Sequence, residues 1–165
     1  DLLLEALAAC PADAPITLTL VGSDHGGYTE QMQALTARLH LEDKVQFLGS
    51  RTDVPQLLQT ADLFVHPATC QEGFGISLIE AMASGVPCLA FPKGAIPEII
   101  GPEIDGFLTE EVSAADLTAG INRALELFTK APHHWHTLCK NARQKAELFS
   151  IERTVAQLEE LYQEQ

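Results

Sequence analysis

The sequence predicts a doubly wound α/β domain built on a parallel sheet. Three observations predict it. Short apolar runs alternate with stretches of helical spacing from the first helix to the strand at Gly106 to Thr109. Each run is brief and apolar throughout, which is how a strand covered by helices on both faces reads. The runs close at glycine or proline: Gly22, Gly49, Pro67 and the turn at 92–95. In such sheets ligands bind beyond the carboxyl ends of the strands. Those four places therefore converge with a turn at 72–77 on one crevice.

The elements follow in order. Leu2 to Ala9 is a short helix, ended by Pro11 and Pro15. Ile16 to Val21 is rich in β-formers and closes at Gly22. Residues 22–27 form a glycine-rich loop, and Tyr28 to Leu39 has apolar residues at helical spacing. Val45 to Leu48 is a second strand. Asp53 is expected to cap a helix over Val54 to Thr60, with Pro55 at its first position. Leu63 to His66 is a third strand, followed by a helix over 75–84 and a strand from Val86 to Phe91. Ile96 to Ile100 is a short helix and Gly106 to Thr109 a last strand. Three helices complete the chain: Ser113 to about Thr129, Leu138 to Leu148, and Ile151 to Gln163. Residues 1–149 read as one ligand-binding domain and 150–165 as a terminal amphipathic helix.

Composition narrows the function. The formal charge is -13, from 10 Lys+Arg against 23 Asp+Glu. That argues against nucleic acid and against docking on anionic lipid. A phosphate ligand would have to be held by backbone dipoles and a few local cations. Mean hydropathy is +0.06 and no apolar run reaches membrane-spanning length, so a cytoplasmic protein without a leader is expected. Cys10, Cys70, Cys88 and Cys139 form no Cys-x-x-Cys pair and read as reduced thiols. Cys70, two residues before Glu72, reads as a small filler near the site. The cluster His133-His134-Trp135-His136 reads as a surface helix start rather than a metal site, because no carboxylate stands near it to complete a ligand set.

The most informative stretch runs from Glu72 to Pro87. A Gly73-Phe74-Gly75 turn feeds an apolar helix that stops at Gly85. Such a turn leaves free N–H groups at the positive end of the helix dipole. That is an anion site. Glu80 lies three residues beyond Ser77, about 4.5 Å further along the axis. This is roughly the step from a phosphate to the adjoining ribose, whose two hydroxyls a carboxylate accepts together. Glu72, on the turn, faces whatever hangs beyond the phosphates. Phosphate, ribose and a third group in a row describe a nucleotide sugar; the alternative on pattern alone is a common Gly-x-Gly turn before a helix, with Glu80 a solvated helix residue.

The same residues resemble the C-terminal, donor-binding domain of GT-B-fold retaining glycosyltransferases of family 4 (glycosyl transferases group 1). The family signature is a Glu, seven residues and a second Glu, with a Gly-Phe-Gly turn inside. Here it is Glu72-Gly-Phe-Gly-Ile-Ser-Leu-Ile-Glu80, followed by Ala-Met-Ala-Ser-Gly-Val-Pro. Val45 to Gly49, Leu57 to Leu63, Pro67, Pro97-Glu98-Ile99, Gly106-Phe-Leu and Leu158 to Tyr162 fit the surrounding family segments in order. The resemblance implies that Glu80 takes the ribose hydroxyls and that Glu72, the candidate catalytic group, contacts hydroxyls of the transferred sugar. It also implies that the backbone around Gly73, Phe74 and Gly75 lies beside that sugar. The N–H groups of Ile76 and Ser77 meet the diphosphate, and Arg51 flanks the base. Gly22 lies at the same crevice. No metal and no other cofactor is expected.

The chain departs from the family pattern in several places. The family's domain begins with a strand, central in the sheet, and a loop bearing an Arg and a Lys that clamp the diphosphate. None of these is in this sequence, nor is the N-terminal acceptor-binding domain. The chain therefore reads as part of an enzyme roughly twofold larger. The implied partners are a UDP-, GDP- or ADP-sugar and the absent acceptor domain, through which any membrane contact would run. The usual Gly-Gly before Pro-Glu is Gly94-Ala95-Ile96, and the usual Ser after Pro67 is Ala68. Three functions compete: donor-binding half of a sugar transferase, sugar-nucleotide 2-epimerase, and non-catalytic nucleotide-binding module. The Gly-Phe-Gly turn between the two glutamates favours the transferase over the epimerase.

Overall fold

The computed structural model describes residues 1–24 and 26–163. His25, in the 22–27 loop, and the last two residues lie outside the described part. Eight α-helices and five strands are seen among the described residues: α1 Leu2–Ala9, β1 Leu18–Val21, α2 Tyr28–Arg38, β2 Val45–Gly49, α3 Val54–Leu58, β3 Phe64–His66, α4 Ile76–Ala83, β4 Cys88–Ala90, α5 Ile96–Ile99, β5 Gly106–Leu108, α6 Ala114–Lys130, α7 Pro132–Ala146 and α8 Ile151–Gln163. All strand pairing is parallel.

The double winding is clearest at β4. Alternate residues of a strand point to opposite faces. Leu89 enters a core formed with α1, α6 and α7, where it meets Ala6, Leu117 and Leu138. Its neighbours Cys88 and Ala90 enter a second core with Leu78, Met82, Ile96 and Ile99 of α4 and α5. All three β4 residues are fully buried. Burying a Leu or Ile side chain in this way stabilises by about 1.5–3 kcal/mol. A third core joins α1 and α2 to β1 and β2 through Leu4, Leu7, Leu35 and Val45.

The sheet is not continuous. β1 pairs with β2, and β3-β4-β5 form a separate three-stranded sheet. The sheet is in two pieces, in keeping with the central strand that the resemblance implies and this sequence lacks. Between them lies an open cavity of about 550 Å³, lined by Leu18, Leu20, Leu63, Val65, Ile121 and Trp135 among others. β1 and β3 each carry one unpaired edge beside it.

Two local expectations need correction. The penultimate long helix starts at Pro132, not Leu138. Proline suits a first helical position, where its missing N–H is not needed. From there Trp135, Leu138, Ala142 and Ala146 repeat at three- and four-residue spacing and are all buried. His133, His134 and His136 sit on the exposed side of the first turns, with Trp135 anchored between Phe107 and Phe128. The Asp53 side chain does not cap α3. It is taken by Arg51, as described below.

Candidate functional site

Gly75 is the pivot of the site. Its φ is +72°, the left-handed region, and it is the N-cap residue of α4. A Cβ there would stand 3.1 Å from Leu78 Cδ1 and 3.4 Å from Ile99 Cδ1. The turn thus lies directly on the core beneath it. Close approach of a ligand would by itself call for glycine here. The structure gives a reason inside the fold: backbone conformation and packing from below.

At the start of α4 the Gly75 carbonyl accepts from Leu78 N–H at 3.0 Å and Ile79 N–H at 3.2 Å. Among the described residues the N–H groups of Ile76 and Ser77 have no protein acceptor. Two donors are therefore left at the positive end of the helix. Ile76 is exposed, so the end is open to solvent.

Glu72 is held tightly beside it. Its Oε1 accepts the Gly75 N–H at 3.1 Å, and its carbonyl accepts the Ala95 N–H at 3.0 Å. A Cβ on Gly94 would overlap the Glu72 backbone, and Gly94 has φ +58°. The 92–95 loop and the Glu72 turn therefore dock backbone to backbone. The convergence expected of these two strand-end segments is real. The Gly75 and Phe74 N–H groups hold the Glu72 carboxyl below the usual carboxylate range, and His66 adds to the effect. Glu72 is thus kept ionised.

Sequence reasoning missed His66 as a site residue. It ends β3, with its Nε2 3.4 Å from Glu72 Oε2. That nitrogen is shielded from solvent and has no hydrogen-bond partner among the described residues. The available signal was a histidine as the last strand residue before Pro67, at the ligand end of the sheet.

Glu80 is exposed one turn further along α4. It borders a small cavity of about 260 Å³ between α3 and α4, with Val54, Pro55, Leu58, Ala83 and Ser84. The apolar floor and single carboxylate suit a flat ring with a hydroxylated appendage. Arg51 lies on the approach to α3. Its Nε and Nη2 donate to the two Asp53 carboxylate oxygens at 2.8 and 2.7 Å. Both partners are about 40% exposed (42% and 40%), so the pair adds little stability. It orients the guanidinium but also occupies it. Gly22 donates its N–H to the Gly49 carbonyl at 3.0 Å, which brings the ends of β1 and β2 together. The Phe74 ring packs edge-on against Phe149, centroids 6.0 Å apart, leaving its backbone for the site. Gly73 is exposed on the turn. Cys70 is exposed and not a filler. Cys88 is the buried filler, its thiol pushed up by burial.

The turn thus combines open N–H donors with one carboxylate before the helix and another along it. The model of the family described as glycosyl transferases group 1 matches residues 1–145. The chain belongs to that family. N-acetyl-alpha-D-glucosaminyl L-malate synthase of Bacillus anthracis is 35% identical over 160 residues, covering 96% of this chain and 40% of that protein. Lipopolysaccharide glucosyltransferase WaaG of Escherichia coli is 29% identical, over 96% of this chain and 42% of that protein. Among solved structures, Anabaena Alr3699/HepE in complex with UDP matches at TM-score 0.89 and 33% identity, over 99% of this chain and 44% of that one. The chain spans less than half the length of these relatives and corresponds to the C-terminal half of the GT-B glycosyltransferases. No helix among the described residues is long and apolar enough to cross a membrane.

Proposed function

We propose that this chain is the donor-binding half of a retaining glycosyltransferase that uses a nucleoside-diphosphate sugar without a metal. The observation that carries the reading is the pair of unpartnered N–H groups at Ile76 and Ser77, flanked by Glu72 and Glu80. The diphosphate would sit on the α4 N-terminus, where preorganised dipoles favour the charge that grows on a leaving phosphate. Glu80 would take the ribose hydroxyls, and the cavity beside it the base. Ionised Glu72 accepts but does not donate, so it suits sugar hydroxyls.

The reported relatives are named as a synthase and a glucosyltransferase. That supports transfer over epimerisation. Solved neighbours are titled as complexes with UDP and with UDP-glucose, which supports a UDP-sugar among the possible donors. The cavity between the two sheets supports a full-length protein in which a further strand completes the sheet. The exposed apolar face of α8 (Val155, Leu158, Leu161, Tyr162) supports docking of that helix on another part of the same protein, the acceptor domain.

The test is calorimetry on the full-length protein with UDP, GDP and ADP, then with matching nucleotide sugars, followed by nucleotide-release assays with a donor panel. Binding of one nucleotide and its sugar supports the reading. A protein that binds none of them is a scaffold.

A further inference from the structure

Glu72 belongs to an irregular segment, residues 67–75, that contains no helix or strand. A carboxylate on such a segment keeps one direction only if it is held from several sides. Two holds are backbone contacts: Gly75 N–H on Oε1 and Ala95 N–H on the Glu72 carbonyl. The third side is His66, and it differs in kind. His66 is the last residue of β3, registered against Ala90 of the fully buried β4. Its ring lies near that of Phe64, centroids 6.4 Å apart, and its side chain is 16% exposed. It is thus mounted on a paired strand and faces the turn.

The Nε2 of this ring is buried and has no hydrogen-bond partner among the described residues, yet it stands 3.4 Å from Glu72 Oε2. A buried polar atom without a partner has a free-energy cost, and most such atoms in folded proteins are satisfied. A lone pair on Nε2 would face an ionised oxygen, so the proton belongs on Nε2. At 3.4 Å and misaligned, the contact is short of a hydrogen bond. A shift of a few tenths of an ångström brings it into the range of about 2.7–3.2 Å.

We propose that His66 is a positioning residue for the transferred sugar. Its Nε2–H closes onto Glu72 Oε2 when a donor sugar engages that carboxylate, and it fixes the direction of the remaining lone pairs. This rests on the donor-site reading above and deepens it. His66 acts only through Glu72, so it affects the part of the donor beyond the diphosphate. The bare nucleoside diphosphate, held by Ile76, Ser77 and Glu80, does not report it.

The experiment uses the full-length protein and four probes: UDP-glucose, UDP-N-acetylglucosamine, GDP-mannose and ADP-glucose, each with its nucleoside diphosphate. The donor that binds wild type most tightly is carried forward. His66→Phe keeps the ring and loses the N–H. It should weaken the nucleotide sugar about tenfold or more, as expected for a hydrogen bond to a charged group, and change the nucleoside diphosphate less than about twofold. His66→Gln, whose amide N–H reaches a similar place, should restore most of the loss. In a Glu72→Ala background His66→Phe should have no further effect. Unchanged nucleotide-sugar affinity in His66→Phe overturns the proposal. Equal loss of sugar nucleotide and nucleotide also overturns it, because that is the signature of a merely structural role. Should His66→Phe not fold, His66→Leu and His66→Gln decide by the same comparison. A wild-type protein that binds none of the four donors overturns the donor-site reading itself, and this proposal with it.

Discussion

The turn before α4 and the cavity between β1 and β3 are both openings, and they are opposite in character. At the turn, the packing beneath is finished: Gly75 rests on Leu78, Ile96 and Ile99. What is left open is polar, two N–H groups and a carboxylate. Water satisfies such groups until a ligand replaces it. In the cavity the open surface is apolar, contributed by residues such as Leu20, Val65 and Trp135. Its backbone feature is a pair of unpaired strand edges. Water is a poor occupant for apolar walls, and a free strand edge invites another strand. The first opening is suited to a small polar ligand and the second to polypeptide.

The largest test of that contrast compares the 165-residue chain with the full-length protein. The isolated chain is expected to transfer no sugar. Positioning of an acceptor is worth roughly 7–11 kcal/mol in favourable cases, and each missing oxyanion-type contact about 2.7–4 kcal/mol. Hydrogen exchange should show the structural side of the same loss. Amides of β1 and β3 should exchange much faster in the isolated chain than in the full-length protein, while β4 stays protected in both. Equal protection of β1 and β3 would mean that nothing enters the cavity. Sugar transfer by the isolated chain near the full-length rate would refute the half-enzyme reading.

Next in size is Gly75→Val. The left-handed φ and the 3.1 Å contact with Leu78 together make this a destabilising change. Strain of this kind is worth about 1–3 kcal/mol for the backbone, and overpacking adds a similar amount. Thermal unfolding should show a lower Tm alongside lost nucleotide binding. A variant that keeps its Tm and loses binding would return the reason for glycine to ligand approach alone.

Gly75 also shows what the sequence could and could not reveal. The turn, the helix and the two glutamates were legible, because Gly-x-Gly before an apolar run with a following Gly is a local pattern. The element order was legible for the same reason, from Ile16 through Gly106. The split sheet was not legible in the alternation, which says nothing about which strands hydrogen-bond; only the resemblance, with its missing central strand, pointed to it. The contact of Gly94 with Glu72 arises from the ends of two strands, β3 and β4, meeting in space, and that of His66 with Glu72 from a loop folding back on the strand it leaves, which residue spacing alone does not reveal. The α7 start was hidden because the apolar spacing that marks a helix is sparse before Leu138, where Trp135 is the one buried side chain, although the histidine cluster did mark a helix start. Asp53 was read as a cap from its position alone, and Arg51 two residues earlier outcompetes the backbone for its carboxylate.

The two glutamates divide the polar opening, and their substitutions should separate its parts. Glu80→Ala is expected to weaken both nucleoside diphosphate and nucleotide sugar, by about 1.5–3 kcal/mol for each charge-assisted hydrogen bond removed. Glu72→Ala should weaken only the nucleotide sugar. Calorimetry on the full-length protein distinguishes them. Equal losses with the bare nucleotide would mean that ribose and sugar sites are wrongly assigned.

The smallest expected effect is in pH. The Gly75 and Phe74 N–H groups, with His66 beside them, favour the charged form of Glu72, so its folded pKa lies below its unfolded value. A depressed carboxyl contributes stability that is fully present above the unfolded pKa and is lost as pH falls through the folded one. The same holds for its role as an acceptor. The ratio of wild-type to Glu72→Gln affinity for the nucleotide sugar should therefore stay constant from neutral pH down to the ordinary glutamate value, about 4.3. It should fall only below that. The difference in Tm between the two proteins should follow the same course. A ratio that already collapses above the ordinary value would mean that Glu72 is not held by those N–H groups in solution. The polar opening would then be less preorganised than its geometry indicates, and closer in character to the unfinished cavity across the sheet.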